Sequence, residues 1–215
     1  FNYTLWQCRL QSFLTKNSGQ ANLIKNIVRR LTVARKRGKM NTIDLIKSRT
    51  SYRGPYLSTK VPREDLKLIM EAGLAAPSGC NKQTTRLIAV DDEETLAKLH
   101  AVIQPAVGET APAMICVLAK KIIAYRDRFY YIQDYSAAIE NMLLAIIDLG
   151  YQSCWVEGHI TDTDQICRKM AKILEVPDDC ELVCFLPIGI AEKECKKAVK
   201  LPFEERAWFN KFGGR

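Results

Sequence analysis

Two guanidinium groups and two hydroxyls stand within five residues near the middle of the first hundred positions. Residues 49–53 read Arg-Thr-Ser-Tyr-Arg in a stretch rich in Gly, Pro, Ser and Thr. Such a donor set suits a phosphate dianion, because guanidinium and hydroxyl groups bind its oxygens with charge-assisted hydrogen bonds. The alternative is an ordinary solvated loop that follows a short helix. The candidate binding residues here are Arg49, Thr50, Ser51 and Arg53.

A second stretch, residues 76–83, reads Ala-Pro-Ser-Gly-Cys-Asn-Lys-Gln after a helical pattern. A rigid turn of this kind offers hydroxyl and amide partners to a planar heterocycle. The alternative is a plain helix stop, because Pro and Gly are common where helices end. The candidate binding residues here are Pro77, Ser78, Asn81 and Gln83.

Two further stretches are shorter. Residues 154–158 end a strand-like run with Glu157 and Gly158, and a glycine there lets backbone N–H groups approach a ligand closely. Lys200, in the tail of the chain, can pair with a phosphate. The alternatives are a strand-ending turn for the first and a solvated charge for the second.

Motifs for other chemistry are absent from the sequence. It has no glycine-rich dinucleotide loop, no Walker-type phosphate loop, no nucleophile elbow and no zinc-site spacing, and it contains two histidines, His100 and His159. We therefore predict no catalytic side-chain set and no metal site. A globular chain without such a set commonly leaves the chemistry to a cofactor.

Apolar periodicity places these stretches on a scaffold of helices and strands. Helices are predicted at 42–48, 62–75, 93–103, 135–149 and from a cap at Thr161 or Asp162 to about Leu174. Strands are predicted at 86–90, 114–119, 153–156 and 182–190. Few strands and long helices indicate the α+β class, as a three-layer α/β sandwich. Helix 135–149 is apolar nearly all round, which indicates burial in a large core or at a subunit interface. Because residues 40–215 leave limited room for a central helix, we favour an obligate dimer.

The net charge of +8 is unevenly distributed. Residues 1–39 hold nine basic residues and no acid, so residues 40–215 carry a net charge of −1. A basic nucleic-acid groove in the fold is therefore not indicated. The longest apolar run, residues 111–119, is far shorter than the about 18 residues that span a bilayer. We expect neither a nucleic acid nor a membrane as partner.

We predict that residues 1–39 lie outside the native fold and that residues 40–215 form one domain. Residues 36–39, Lys-Arg-Gly-Lys directly before Met40, can be encoded almost wholly by purines, which favours translated upstream sequence with Met40 as the true start. An organelle transit peptide and a cationic arm for a polyanion are the alternatives. The eight cysteines include no Cys-x-x-Cys pair, and this pattern suits reduced thiols in the cytoplasm.

Together the four stretches resemble, in order and spacing, the nitroreductase family of FMN-dependent oxidoreductases, from about Met40 to Glu204. The matching elements are Arg-x-Ser-x-Arg at 49–53, Ala-Pro-Ser-x-x-Asn-x-Gln at 76–83, Glu-Gly at 157–158, Leu-Pro-Ile-Gly at 186–189 and Lys-Leu-Pro at 200–202. The long helix that contains Asp134, Asn141 and Leu144 resembles the family's central helix. Thr84 and Thr85 depart from the pattern, because the family often has Pro-Trp there.

The resemblance implies a nitroreductase-like fold, with a central, mostly antiparallel sheet flanked by helices in an intertwined homodimer. FMN would bind at the dimer interface, with its phosphate on Arg49 and Ser51, helped by Lys200. Arg53 would lie near the N1–C2=O edge of the flavin, where a cation stabilises the charge that hydride addition at N5 creates.

The rest of the site follows from the same resemblance. Pro77, Ser78 and Asn81 would come from the other subunit, and Glu157 and Gly158 would border the N5 side. The predicted cofactor-binding residues are Arg49, Thr50, Ser51, Arg53, Pro77, Ser78, Asn81, Gln83, Glu157, Gly158 and Lys200.

The implied activity is that of an oxidoreductase with a ping-pong mechanism. NAD(P)H gives a hydride to flavin N5, and a nitroaromatic, quinone or related electrophile then takes its place and is reduced. The alternatives are a flavin-binding storage or sensor protein without turnover, and a same-fold flavin dehydrogenase or dehalogenase. Residues 126–131, with two arginines and three aromatic residues, either line the pocket or form a surface connection.

Overall fold

The computed structural model describes residues 40–157 and 165–214. The chain divides into two compact units, residues 1–47 and 48–215. In the first unit the described residues form most of helix α1, Thr42–Ser48, where the side-chain oxygen of Asn41 accepts a hydrogen bond from the Asp44 N–H at 3.0 Å. The predicted leader, 1–39, lies outside the described residues, so its nature stays a prediction.

The second unit is built from four further α-helices and six strands among its described residues. The helices are α2 (Arg63–Leu74), α3 (Glu93–Val102), α4 (Tyr131–Asp148) and α5 (Ile166–Ile173). The strands are β1 (Thr85–Val90), β2 (Ala113–Ala119), β3 (Ile123–Tyr125), β4 (Arg128–Phe129), β5 (Val156–Glu157) and β6 (Glu181–Ile188). Short 3₁₀ helices form at Gly79–Asn81 and Phe203–Glu205.

Four of the strands form one antiparallel sheet in the order β1-β2-β6-β5. Cys116 of β2 pairs with Ile88 on one side and Phe185 on the other, and Phe185 also pairs with Val156 of β5. Every residue of β2 is buried. This apolar strand therefore needs a partner strand on both edges and helices on both faces.

The helices cover both faces of the sheet. One core joins Ile69 of α2 and Ile139 of α4 to Ile115 and Leu186 of the sheet. The other joins Leu99 of α3 and Met170 of α5 to the opposite face, around Cys116 and Phe185. Period-two alternation along β2 sends successive side chains to the two cores. The predicted three-layer sandwich with an antiparallel sheet is confirmed.

Helix α2 packs closely on α4. A Cβ added at Gly73 would lie 2.7 Å from Cγ of Met142, so the two helices meet at a position where only hydrogen fits. The buried face of α4 includes Ile139, Met142 and Ile146, whereas Glu140 is exposed. Within one chain this helix thus has a buried side and an exposed side, although its sequence is apolar nearly all round.

Several elements differ from the sequence prediction. The β3–β4 hairpin was not predicted, and α4 begins at Tyr131, four residues earlier than expected. The strand expected at 153–156 is β5, Val156–Glu157, with an isolated bridge from Gln152 to Gly189 before it. The described part of α5 begins at Ile166, and its predicted cap at Thr161 or Asp162 lies outside the described residues.

Candidate functional site

The loop at residues 49–57 follows α1 and carries the first predicted group. The Arg49 side chain is 21% exposed, and its Nε lies 3.4 Å from Oε1 of Glu140 on α4. The Thr50 hydroxyl donates to the Lys196 carbonyl at 3.2 Å. Ser51 is half-buried and Arg53 is exposed. Two cations and two hydroxyls share this loop, and the groups on Arg49 and Thr50 have partners within the chain.

Two buried tyrosines hold this loop in place. The rings of Tyr52 and Tyr56 meet edge to face, with centroids 5.1 Å apart. The Tyr52 hydroxyl donates to the Pro55 carbonyl at 2.6 Å and accepts the Lys193 N–H at 3.2 Å. The Tyr52 N–H donates to the Ser153 carbonyl at 2.8 Å. The loop is thus fixed between the start of β5 and the C-terminal segment.

The third predicted stretch lies beside this loop, and the fourth follows a segment that contacts it. Burial raises the pKa of the Cys154 thiol to about 11, and the nearby positive charge of Arg53 opposes that shift. Glu157 is exposed on β5. Lys200 is exposed four residues after Lys196, so an extended chain lets it lie within about 14 Å of the Thr50 contact. Gly158 lies outside the described residues.

The loop at residues 76–84 has an unusual backbone. Cys80, Asn81 and Gln83 have positive φ angles of 48°, 53° and 49°, which side-chain-bearing residues adopt at a cost. Within the loop, Ser78 Oγ accepts the Gln83 N–H at 3.0 Å, and Pro77, Asn81 and Gln83 are exposed. Polar groups therefore project from a turn with a defined shape.

A buried carboxylate anchors this loop to α4. Asp134 is 4% exposed; its Oδ1 accepts the Gly79 N–H at 2.8 Å and its Oδ2 accepts the Thr84 hydroxyl at 2.6 Å. Arg86 donates to the carbonyls of Gln83 and Thr85. From the sequence, no role at the site is predicted for Asp134, Thr84 or Arg86. The one available signal was an acid at the start of an otherwise apolar helix.

A cavity of about 510 Å³ opens beside the second loop. Pro77, Ser78 and Gln83 line it, with Asp134 on one wall and Met70 of α2 on another. Among the described residues that line this cavity, none belongs to the 49–53 loop. The second predicted group therefore has its own cavity on a single chain.

The two loops meet α4 at different places. The second loop contacts Asp134, and Arg49 of the first contacts Glu140, six residues later. Six residues of α-helix correspond to about 9 Å along the axis and about 120° around it. The two predicted groups thus lie on different sides of α4.

Two other features bear on the class of site. Within 40–157 and 165–214 no group of three or more His, Cys, Asp or Glu residues is placed to hold a metal ion. No helix of the same part of the chain is long and apolar enough to cross a bilayer.

Comparison with known proteins adds independent information. The profile of the Nitroreductase family matches residues 46–110 and 101–190. A protein of Archaeoglobus fulgidus, provisionally named an NADH dehydrogenase/NAD(P)H nitroreductase, is 28% identical over 155 residues, which cover 71% of this chain and 86% of that protein. An iodotyrosine deiodinase of Thermotoga neapolitana is 24% identical over 173 residues, covering 68% of this chain and 86% of its own.

The fold is also found among solved structures. The FMN-dependent nitroreductase of Clostridium difficile superposes with a TM-score of 0.67 at 30% identity, covering 80% of this chain and all of that one. The family match spans both helical layers, the whole of β1, β2, β5 and β6, and the loops at 49–53 and 76–84. The chain therefore belongs to the Nitroreductase family of oxidoreductases, as its motifs indicate.

Proposed function

We propose that this chain binds FMN and, with NAD(P)H as reductant, reduces nitroaromatic, quinone or related electrophiles. The observation that carries the proposal is the 49–53 loop, which bears two guanidinium groups and two hydroxyls and is held in place by buried tyrosine rings. This donor set suits the phosphate of FMN.

The residues present fit the cofactor in a second respect. The indole N–H of Trp155 is buried and has no hydrogen-bond partner among the described residues. Buried donors are normally satisfied, and Trp155 lies in the stretch that precedes Glu157. A polar ligand or a second chain at this position would supply the missing acceptor.

Each residue then has a defined task. Arg49, Thr50 and Ser51 would bind the phosphate, with Lys200 as a further cation. Arg53 would face the ring edge that becomes negative on reduction, where a fixed cation favours electron uptake. Glu157 and Gly158 would border the reactive edge. When bound, FMN supplies the two-electron chemistry between NAD(P)H and the acceptor.

We further propose that two copies of the chain complete each site. The two predicted groups lie on different sides of α4, so Pro77, Ser78, Asn81 and Gln83 of one copy would join the 49–53 loop of the other. The C-terminal segment also supports this proposal. It exposes several large apolar side chains, which a second copy would cover; they are Val199, Leu201, Phe203, Phe209 and Phe212.

The expected compartment is the cytoplasm. None of the seven cysteines in the described part of the chain forms a disulfide, which suits a reducing compartment. Cys116, Cys154 and Cys184 are buried, and burial raises the pKa of each thiol. These three are therefore kept as neutral thiols that pack as small apolar groups.

The test is a visible spectrum of the purified chain before and after addition of NADH or NADPH. We expect flavin absorption that bleaches with either or both reductants and returns on addition of a nitroaromatic or a quinone. Arg49→Ala and Ser51→Ala should each lower FMN retention at least about tenfold. Arg168→Ala, which removes the same charge from the exposed face of α5, is the matched control.

Two results would redirect the proposal. Bound FMN without NAD(P)H oxidation would indicate a storage or sensor protein. The similarity to an iodotyrosine deiodinase favours a second candidate, reductive dehalogenation, in which two electrons and a proton supplied by NAD(P)H would replace a ring halogen with hydrogen and release halide. Halide release from a halogenated phenol, without nitro-group reduction, would select it. Soluble, folded protein that binds no FMN would refute the proposal.

A further inference from the structure

We propose that Asp134 is a positioning residue that holds the 78–84 loop in its binding conformation by clamping both ends of a strained backbone segment. This proposal rests on the function proposed above, because that function makes FMN the ligand of the loop. The carboxylate touches neither the proposed phosphate site nor the exposed side chains of the loop, so its effect is exerted through the loop backbone.

The segment between the two ends of the clamp is strained. Cys80, Asn81 and Gln83 all adopt the left-handed region, where a Cβ comes too close to the following carbonyl. Asparagine tolerates this region better than cysteine and glutamine. Such conformations persist where the surrounding structure imposes them. A support outside the segment is therefore required.

Asp134 has the geometry of that support. Its Oδ1 accepts the Gly79 N–H directly before the strained residues, and its Oδ2 accepts the Thr84 hydroxyl directly after them. The carboxylate is buried, so water competes poorly for either bond, and both bonds are charge-assisted. One side chain thus fixes the distance between the two ends of the segment.

The first turn of α4 and the residue before it provide the rigid base for this clamp. The Asp134 N–H donates to the Tyr130 carbonyl at 2.9 Å, and a Cβ on Gly79 would lie 2.8 Å from the Tyr130 ring. Gly79 therefore lies close to Tyr130 and is hydrogen-bonded to the carboxylate, with no room for a side chain.

The clamp bears on the ligand through Ser78, Asn81 and Gln83. Ser78 Oγ accepts the Gln83 N–H, so release of the segment would alter the positions of all three polar side chains together. Loss of Asp134 should therefore weaken binding at this loop without removing any group that contacts the ligand.

The experiment compares Asp134→Ala with Asp134→Asn in the full chain. Alanine removes both contacts, and we expect the FMN dissociation constant to rise at least about tenfold. Asparagine can accept the Gly79 N–H with its oxygen and donate to the Thr84 hydroxyl with its amide, so it should stay within about threefold of the parent. Unchanged affinity in Asp134→Ala would overturn the proposal.

A rescue distinguishes the clamp from a general role in stability. Cys80→Gly removes the penalty at one left-handed position and alone should change FMN affinity less than about twofold. Added to Asp134→Ala, it should recover at least about threefold of the lost affinity. If the double variant recovers no affinity although it has the same melting temperature as Asp134→Ala, the role of Asp134 is not to hold a strained backbone.

A readout without FMN separates this proposal from the function on which it rests. In the chain without flavin, amide hydrogen exchange across residues 79–83 should be at least about tenfold faster in Thr84→Val than in the parent, and unchanged in Thr84→Ser, which keeps the hydroxyl. Equal exchange in all three would overturn the clamp. Failure of the parent to bind FMN would refute the proposed function and leave this result standing.

Discussion

The two loops proposed to bind the cofactor are held in place by different physical means. The 49–57 loop has buried aromatic rings and hydrogen bonds to segments far along the chain, at Ser153, Lys193 and Lys196. The 78–84 loop is exposed over much of its length, has three left-handed residues and depends on one buried carboxylate.

This difference separates two sources of rigidity. In the first loop, the burial of apolar area stabilises both the loop and the fold, so the loop should unfold together with the domain. In the second, a few polar contacts hold a backbone that would relax without them. Loss of a buried ring from the first loop should therefore cost more global stability than a change in the second loop, which should also alter local order.

The largest effect is expected at Tyr52. Tyr52→Ala removes a buried ring that is 4% exposed and should lower the free energy of unfolding by about 3–5 kcal/mol, as for other buried aromatic residues. Tyr52→Phe keeps the ring and loses the hydroxyl contacts to Pro55 and Lys193, so about 1–2 kcal/mol is expected. Urea denaturation measures both. Equal losses would show that the hydroxyl, and not the ring, anchors the loop.

An intermediate effect is expected at Gly79. Gly79→Ala places a methyl group 2.8 Å from Cβ and Cδ2 of Tyr130, an overlap that should cost about 1–3 kcal/mol. Removal of the ring together with Cβ should relieve the overlap, so Gly79→Ala and Tyr130→Gly together should cost less than the sum of the two single changes. Thermal or urea unfolding of the four proteins gives the coupling. Additive losses of stability would show that the cost of Gly79→Ala does not come from overlap with Tyr130.

The smallest effects, of opposite sign, are expected from two glycine substitutions in the same loop, Cys80→Gly and Lys82→Gly. At Cys80, with φ 48°, glycine should raise the free energy of unfolding by about 0.5–1 kcal/mol, because the left-handed penalty exceeds the entropic cost of glycine. At Lys82, with φ −72°, glycine should lower it by about 0.5–1 kcal/mol. Urea denaturation should show changes of opposite sign in the free energy of unfolding of the two variants. Changes of the same sign would contradict the view that the backbone at Cys80 is strained.

The first loop could be recognised from sequence because its signals are chemical and local. Arg49, Ser51 and Arg53 stand within five residues, and the helices and strands around them follow from apolar periodicity. Burial of Tyr52 could not be foreseen, since its partners lie about 100 and 140 residues later along the chain.

The second loop was recognised by its polar residues, but its conformation was not. Cys80 and Gln83 occupy left-handed positions that usually signal glycine or asparagine, so no turn rule applies to them. Arg126 does the same at the β3–β4 turn, with φ 52°, and that hairpin was missed. Asp134 has the sequence signature of an acid in the first turn of a helix, and its burial arises from tertiary packing.

The sheet order described above has a consequence for synthesis on the ribosome. The fully buried strand β2 pairs with β6, whose residues follow about 60 to 75 positions later in the chain. Until β6 has left the ribosome, one edge of β2 and much of its apolar surface have no partner. A nascent chain that ends between these strands exposes apolar surface and is prone to aggregate. Its dependence on chaperones should therefore be greatest during this interval of translation.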